Sequence, residues 1–144
     1  MGHPVESSAK PVTVLIAEDN STLADLLSFC FFRQGYSVVR CRDGLSLMER
    51  LNDGIEGTAE PIDLVITDIR MPGLTGLEVL EAFAQRPGCP PIICMTAFGN
   101  LETHTQAKQL RAAAMFDKPF DIDVLLKKAR ELCPPTSTHI RYSA

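Results

Sequence analysis

The sequence has no apolar run of membrane-spanning length, no apolar core near its start, no basic block and no closely spaced cysteine pair. A transmembrane helix needs about 20 consecutive apolar residues, and a secretory signal needs an apolar core behind a basic start. The expectation is therefore a cytoplasmic protein with no membrane partner. Electrostatic binding of nucleic acid needs clustered Lys and Arg. Net charge here is −4, so no direct nucleic-acid partner is expected. The five cysteines, Cys30, Cys41, Cys89, Cys94 and Cys133, are odd in number and form neither a CxxC motif nor a Cys/His zinc spacing. Cys30 and Cys94 fall in apolar segments, where the thiol behaves as a small buried hydrophobe. His3, His104 and His139 are scattered and expected at the surface. Internal repeats and low-complexity tracts are absent as well.

What remains is the composition of an ordinary soluble globule, 45% hydrophobic and 22% charged, with 144 residues, enough for one well-buried domain. Short apolar runs alternate with segments of helical periodicity. Val12–Ala17 is a strand followed by the polar cluster Glu18, Asp19, Asn20 and Ser21, which can cap a helix. That helix carries Leu23, Leu26, Leu27, Cys30 and Phe31 at helical spacing and stops at Gly35. Tyr36–Cys41 is a second strand, and a short helix through Leu47, Met48 and Leu51 is expected to end near Asn52 in a loop reaching Pro61.

A third strand, Ile62–Thr67, runs into Asp68, with Met71, Pro72 and Gly73 turning the chain into a helix from about Thr75 to Gln85. Pro91–Thr96 is the fourth strand, Leu101–Leu110 a polar helix and Ala113–Asp117 the fifth strand. Lys118, Pro119 and Phe120 lead to a last helix that starts near Asp121 and is stopped by Pro134 and Pro135. Five strand–helix alternations call for an α/β fold, a doubly wound five-stranded parallel sheet with helices on both faces. Strands this apolar suit burial on both sides. Residues 1–10 are expected to form a loose arm, 11–133 the domain and 134–144 a short tail.

Polar residues stand at the ends of four of these strands: Glu18 and Asp19, then Asp68, Thr96 and Lys118. Parallel strands point one way, so these groups gather at one edge of the sheet, where open α/β sheets bind ligands. Taken singly, each has a plain structural explanation, as a cap, a turn residue or a solvated charge. Their convergence around a strand-end aspartate is what points to a site.

These residues carry a resemblance. The acidic pair Glu18–Asp19, the D-x-x-M-P-x-x-x-G run from Asp68 to Gly76, Thr96–Ala97 and Lys118–Pro119–Phe120 look like those of a response-regulator receiver domain, the CheY-like family of two-component signalling. The match covers about residues 11–133 and implies strand order 2-1-3-4-5, with a crevice where that order reverses. It implies that Asp68 accepts a phosphoryl group from a sensor histidine kinase or phosphotransfer protein, that Lys118 pairs with a phosphoryl oxygen and that the Thr96 hydroxyl donates to another. It also implies a Mg²⁺ site at Asp19 and Asp68, with Glu18 acting through a water and the backbone carbonyl of Arg70 as a further ligand. Hard oxygen donors suit that ion. By the same resemblance, phosphorylation draws Thr96 inward and changes the face of the fourth helix, fifth strand and fifth helix. That face would control a protein target or an output domain, and a homodimer through it is also admitted.

The sequence departs from the family pattern in places. Met115 stands where an aromatic switch residue is usual, Arg111–Ala112 replaces Gly-Ala before the fifth strand, and Glu18 replaces a frequent Asp. The leading expectation is a phosphorylatable switch with weak self-catalysed phosphorylation and dephosphorylation rather than a metabolic enzyme. The alternative is a phosphate-independent interaction module with the same fold. A phosphohydrolase with an aspartyl-phosphate intermediate ranks last, because Arg70 stands where that class wants a second acid.

Overall fold

The computed structural model describes residues 10–97 and 99–135. The expected arm and tail, with His3 and His139, lie largely or wholly outside them. In chain order the elements are β1 (Thr13–Ala17), α1 (Ser21–Arg33), β2 (Ser37–Cys41), α2 (Gly44–Glu56) and β3 (Leu64–Asp68), then α3 (Gly76–Phe83), β4 (Ile92–Thr96), α4 (Leu101–Gln109), β5 (Ala114–Asp117) and α5 (Ile122–Leu132). The five strands form one sheet in the order β2-β1-β3-β4-β5, and every pairing is parallel. Among the described residues, no helix is long and apolar enough to cross a membrane.

Side-chain alternation along the strands divides the core between the two faces. Val14, Ile16, Leu64, Ile66, Ile93 and Met95 pack with Leu27 and Phe31 of α1 and with Leu125, Leu126 and Ala129 of α5. Leu15, Ala17, Val65 and Cys94 point the other way, against Leu47 and Leu51 of α2, Val79, Leu80 and Phe83 of α3, and Ala107 of α4. β1, β3 and β4 are buried along their full length, so their terminal residues are held by rigid strands.

The second helix departs most from its expected bounds. The second helix does not end near Asn52; it continues to Glu56 and stops at Gly57, whose φ is 84°. Ile55 lies one turn beyond Leu51 and packs against the same core cluster, and this burial overrides the turn signal of Asn52, Asp53 and Gly54.

The turn before β5, where Arg111–Ala112 stands in place of Gly-Ala, is well formed. The Ala112 N–H donates to the Ala107 carbonyl (2.9 Å) and the Arg111 N–H to that of Lys108 (3.0 Å), a Schellman ending for α4. α1 ends the same way, through Gly35 and Tyr36, and the left-handed residue there is the glycine, at φ 102°. In α4 that conformation falls on Arg111, at φ 71°. A side-chained residue in this region costs roughly 1–2 kcal/mol, and glycine instead releases about 0.5–1 kcal/mol more chain entropy on unfolding. Arg111→Gly is therefore expected to stabilise the protein by roughly 0.5–1 kcal/mol. Urea unfolding checks this, and a lowered midpoint would show that the Arg111 side chain contributes more than its backbone costs.

Candidate functional site

Three carboxylates meet at the C-terminal edge of the sheet. Glu18 follows β1 and is 3% exposed, and Asp68 ends β3 and is 6% exposed, while Asp19 faces solvent. One oxygen from each lies within 4.8 Å of the others. Lys118, directly after β5, reaches between two of them. Its Nζ donates to Asp68 Oδ2 (2.6 Å) and to Glu18 Oε1 (2.7 Å). The backbone holds the free oxygens, since the Arg70 N–H donates to Asp68 Oδ1 (3.0 Å) and the Asn20 N–H to Glu18 Oε2 (3.0 Å).

The electrostatics follow from burial and pairing. Burial pushes the Glu18 carboxyl up, and the Asp68 charge adds to this, while the hydrogen bonds from Lys118 and Asn20 pull it back. For Lys118 burial is the largest influence and works downward, but the hydrogen bonds and charges of Asp68 and Glu18 together outweigh it and raise the ammonium. Lys118 therefore stays charged, and its two carboxylate contacts are charge-assisted.

Thr96 ends β4, is 1% exposed and pairs in register with Asp117. Its carbonyl accepts from the Lys118 N–H at 2.7 Å. A cleft of about 580 Å³ beside the acids is lined by Asp19, Arg70, Met71, Thr75, Thr96 and Thr103, room for a small anion in reach of the strand ends. The Lys118–Pro119 peptide is cis.

Gly76 sets how closely α3 approaches. A Cβ there would sit 2.8 Å from the Asp68 carbonyl oxygen and 3.0 Å from Ile69 Cα, and the Gly76 N–H donates to the Ile69 carbonyl at 2.9 Å. Thr75 and Glu78 then close a capping box that starts α3.

The structure thus brings Glu18, Asp19, Asp68, Thr96 and Lys118 to one edge. Arg70 is adjacent, through its backbone. Met115 is not part of this cluster; it is half-buried on β5 and packs toward the α2–α3–α4 face. Phe116 cannot stand in for the missing ring, because alternation sends it to the opposite face, where it meets Phe120 edge-on at 5.9 Å. Sequence reasoning missed Asp117 and treated His104 only as a surface residue. The structure places His104 Nε2 2.8 Å from Asp117 Oδ1; the one available signal was a charged residue at a strand end beside Lys118.

A family model described as the response regulator receiver domain matches residues 14–130. The chain belongs to that family. This receiver domain is 31% identical over 121 residues to sporulation initiation phosphotransferase F of Bacillus subtilis, across 84% of the chain and 93% of that protein. It is 29% identical to response regulator RR06 of Streptococcus pneumoniae, across 84% of the chain but only 52% of the relative, about half its length. Its backbone superposes on chemotaxis protein CheY4 of Vibrio cholerae with a TM-score of 0.73 at 25% identity, covering 84% of the chain and 98% of that structure. Receiver domains are the parts of two-component response regulators that are phosphorylated on aspartate; they bind Mg²⁺ through acidic residues and work between histidine kinases or phosphotransfer partners and output domains.

Gly76→Ala is expected to destabilise this receiver domain by roughly 1–3 kcal/mol through overpacking against the backbone of Asp68 and Ile69. Chemical denaturation measures it, and a neutral result would mean that α3 can withdraw without cost.

Proposed function

We propose that Asp68 is the phosphoacceptor of this receiver domain and that Lys118 and Thr96 hold the incoming phosphoryl group. The observation that carries the reading is a buried strand-end carboxylate hydrogen-bonded at 2.6 Å to a lysine ammonium, next to a cleft that Thr96 also lines. An Asp68 oxygen attacks the phosphorus of a phosphohistidine on a sensor kinase or phosphotransfer protein. The new O–P bond forms as the P–N bond breaks, and the electron pair leaves with the imidazole nitrogen. Such transfer needs positioning and charge neutralisation more than proton shuttling. Lys118 moves its contact from the Asp68 carboxylate to a phosphoryl oxygen, and the Thr96 hydroxyl donates to another.

The donor set fits a small hard cation, since three carboxylates converge while one ammonium neutralises only part of their charge. Asp19 and Asp68 would hold Mg²⁺ directly, with Glu18 through a water and the Arg70 carbonyl as a further ligand. Bound there, it would supply charge neutralisation for the acids and the phosphoryl oxygens. Residues 11–133 form the receiver unit in this reading, working in the cytoplasm. The α4–β5–α5 face is the output, toward a protein target, an output domain or a second copy. Self-catalysed phosphorylation and dephosphorylation are weak.

The direct test is phosphorylation by acetyl phosphate, read by intact mass. A single phosphoryl adduct is expected with Mg²⁺, none without it, and none in Asp68→Asn. Undiminished phosphate in that variant would move the acceptor elsewhere, and no adduct in the folded wild type would favour the phosphate-independent module.

Lys118→Ala is expected to keep Mg²⁺-induced thermal stabilisation but to lose the response of α4 backbone amides to phosphorylation. An unchanged amide response would remove Lys118 from the switch.

A further inference from the structure

Asp117 joins three elements that meet beside the acidic edge. It is the last residue of β5, paired in register with Thr96 and adjacent in the chain to Lys118. Its carboxylate faces two ways. His104 Nε2, on the first turn of α4, lies 2.8 Å from Oδ1. The same oxygen rests against Gly99, in the loop between β4 and α4, so closely that a Cβ on Gly99 would overlap it and would also sit 2.8 Å from Thr96 Cγ2. The loop continues directly into the helix, because Asn100 Oδ1 accepts from the Thr103 N–H at 2.8 Å and caps α4.

α4 is otherwise lightly held. Among the described residues its one fully buried side chain is Ala107. A cleft of about 410 Å³, lined by His104, Lys108, Ala113 and Met115, separates the helix from β5 on this side. The flexible Met115 side chain fills the position from which a ring could otherwise have pushed the helix. The polar contact of His104 with Asp117 is a direct link between the first turn of α4 and the strand that delivers Lys118.

We propose that Asp117 is a positioning residue of the switch: by holding His104 and the Gly99 loop together, it makes α4 follow any movement of Thr96 or Lys118. The inference rests on the phosphoacceptor reading above and adds the route by which the site reaches the α4 face. In the unphosphorylated protein the path is short. Asp68 holds Lys118, the Lys118 N–H holds the Thr96 carbonyl, and Asp117 pairs with His104 of α4 while packing closely against Gly99 of the Thr96 exit loop. When Lys118 and Thr96 turn toward a phosphoryl group, Asp117 and Gly99 shift with them, and the His104 contact carries that shift into the helix. Because His104 and Asp117 are both substantially solvent-exposed, their contact contributes little to stability. Removing it uncouples the helix without unfolding the domain.

The test compares wild type, His104→Ala and His104→Gln, each treated with acetyl phosphate and Mg²⁺. Intact mass reports the adduct, and ¹H–¹⁵N amide shifts report α4. All three proteins are expected to take up one phosphoryl group. The α4 shift change should fall at least threefold in His104→Ala and return to near the wild-type value in His104→Gln, whose amide N–H can donate to Asp117 in place of the ring. An adduct with an undiminished α4 response in His104→Ala would overturn the link alone. A response lost equally in both variants would also overturn it, since the hydrogen bond to Asp117 would then not be the agent. No adduct in wild type would sink the phosphoacceptor reading, and the link with it.

Discussion

The Lys118 ammonium between two buried carboxylates is the contact on which the rest of this structure depends. Glu18 comes from the end of β1, Asp68 from the end of β3 and Lys118 from the end of β5, so one cation ties together strands spread across the sheet. Either acid alone at 3% or 6% exposure would be an uncompensated buried charge, which proteins tolerate poorly. Lys118 supplies the opposite charge that both carboxylates contact. Asp19 adds a third carboxylate to the edge against one ammonium, a donor set that suits the further cation proposed here.

Geometry at this edge comes from the sheet rather than from the loops. Parallel pairing in register puts Thr96 opposite Asp117 and Asp68 opposite Met95, so the strand ladder, with β1, β3 and β4 fully buried, sets the side-chain spacing. Loops add only what strands cannot supply. The Arg70 N–H orients Asp68, and Gly76 brings the start of α3 against the backbone of Asp68 and Ile69. This division explains why a site made of five side chains can coexist with connections of quite different lengths.

Much of this was legible in the sequence, for identifiable reasons. The strands are short and almost wholly apolar, and strand-end polar residues fall at one edge by the logic of parallel pairing. Glu18, Asp19, Asp68, Thr96 and Lys118 can therefore be assembled from the sequence alone. Helix α2 was cut short because Asn52, Asp53 and Gly54 carry strong turn propensity, and only the three-dimensional position of Ile55 shows that burial wins. The Asp117–His104 contact was illegible for a different reason. It joins two exposed residues on separate elements, and neither periodicity nor burial marks such a pair in a linear sequence.

The departures from the family pattern differ in weight once geometry is known. Arg111 adopts the left-handed conformation that glycine would adopt more cheaply, with the same pair of hydrogen bonds that end α1 at Gly35. That substitution alters the energy of the turn and leaves its shape, so it does not argue for a module that has lost its switch. Met115 is different in kind. Its neighbour Phe116 is committed to the opposite core, against Phe120, and strand alternation forbids exchanging the two without rebuilding β5. No ring can therefore swing on the α4 side of this strand. In the proposed switch, the groups at the strand ends that join the acidic edge to α4 are Thr96, Gly99, Asp117 and His104.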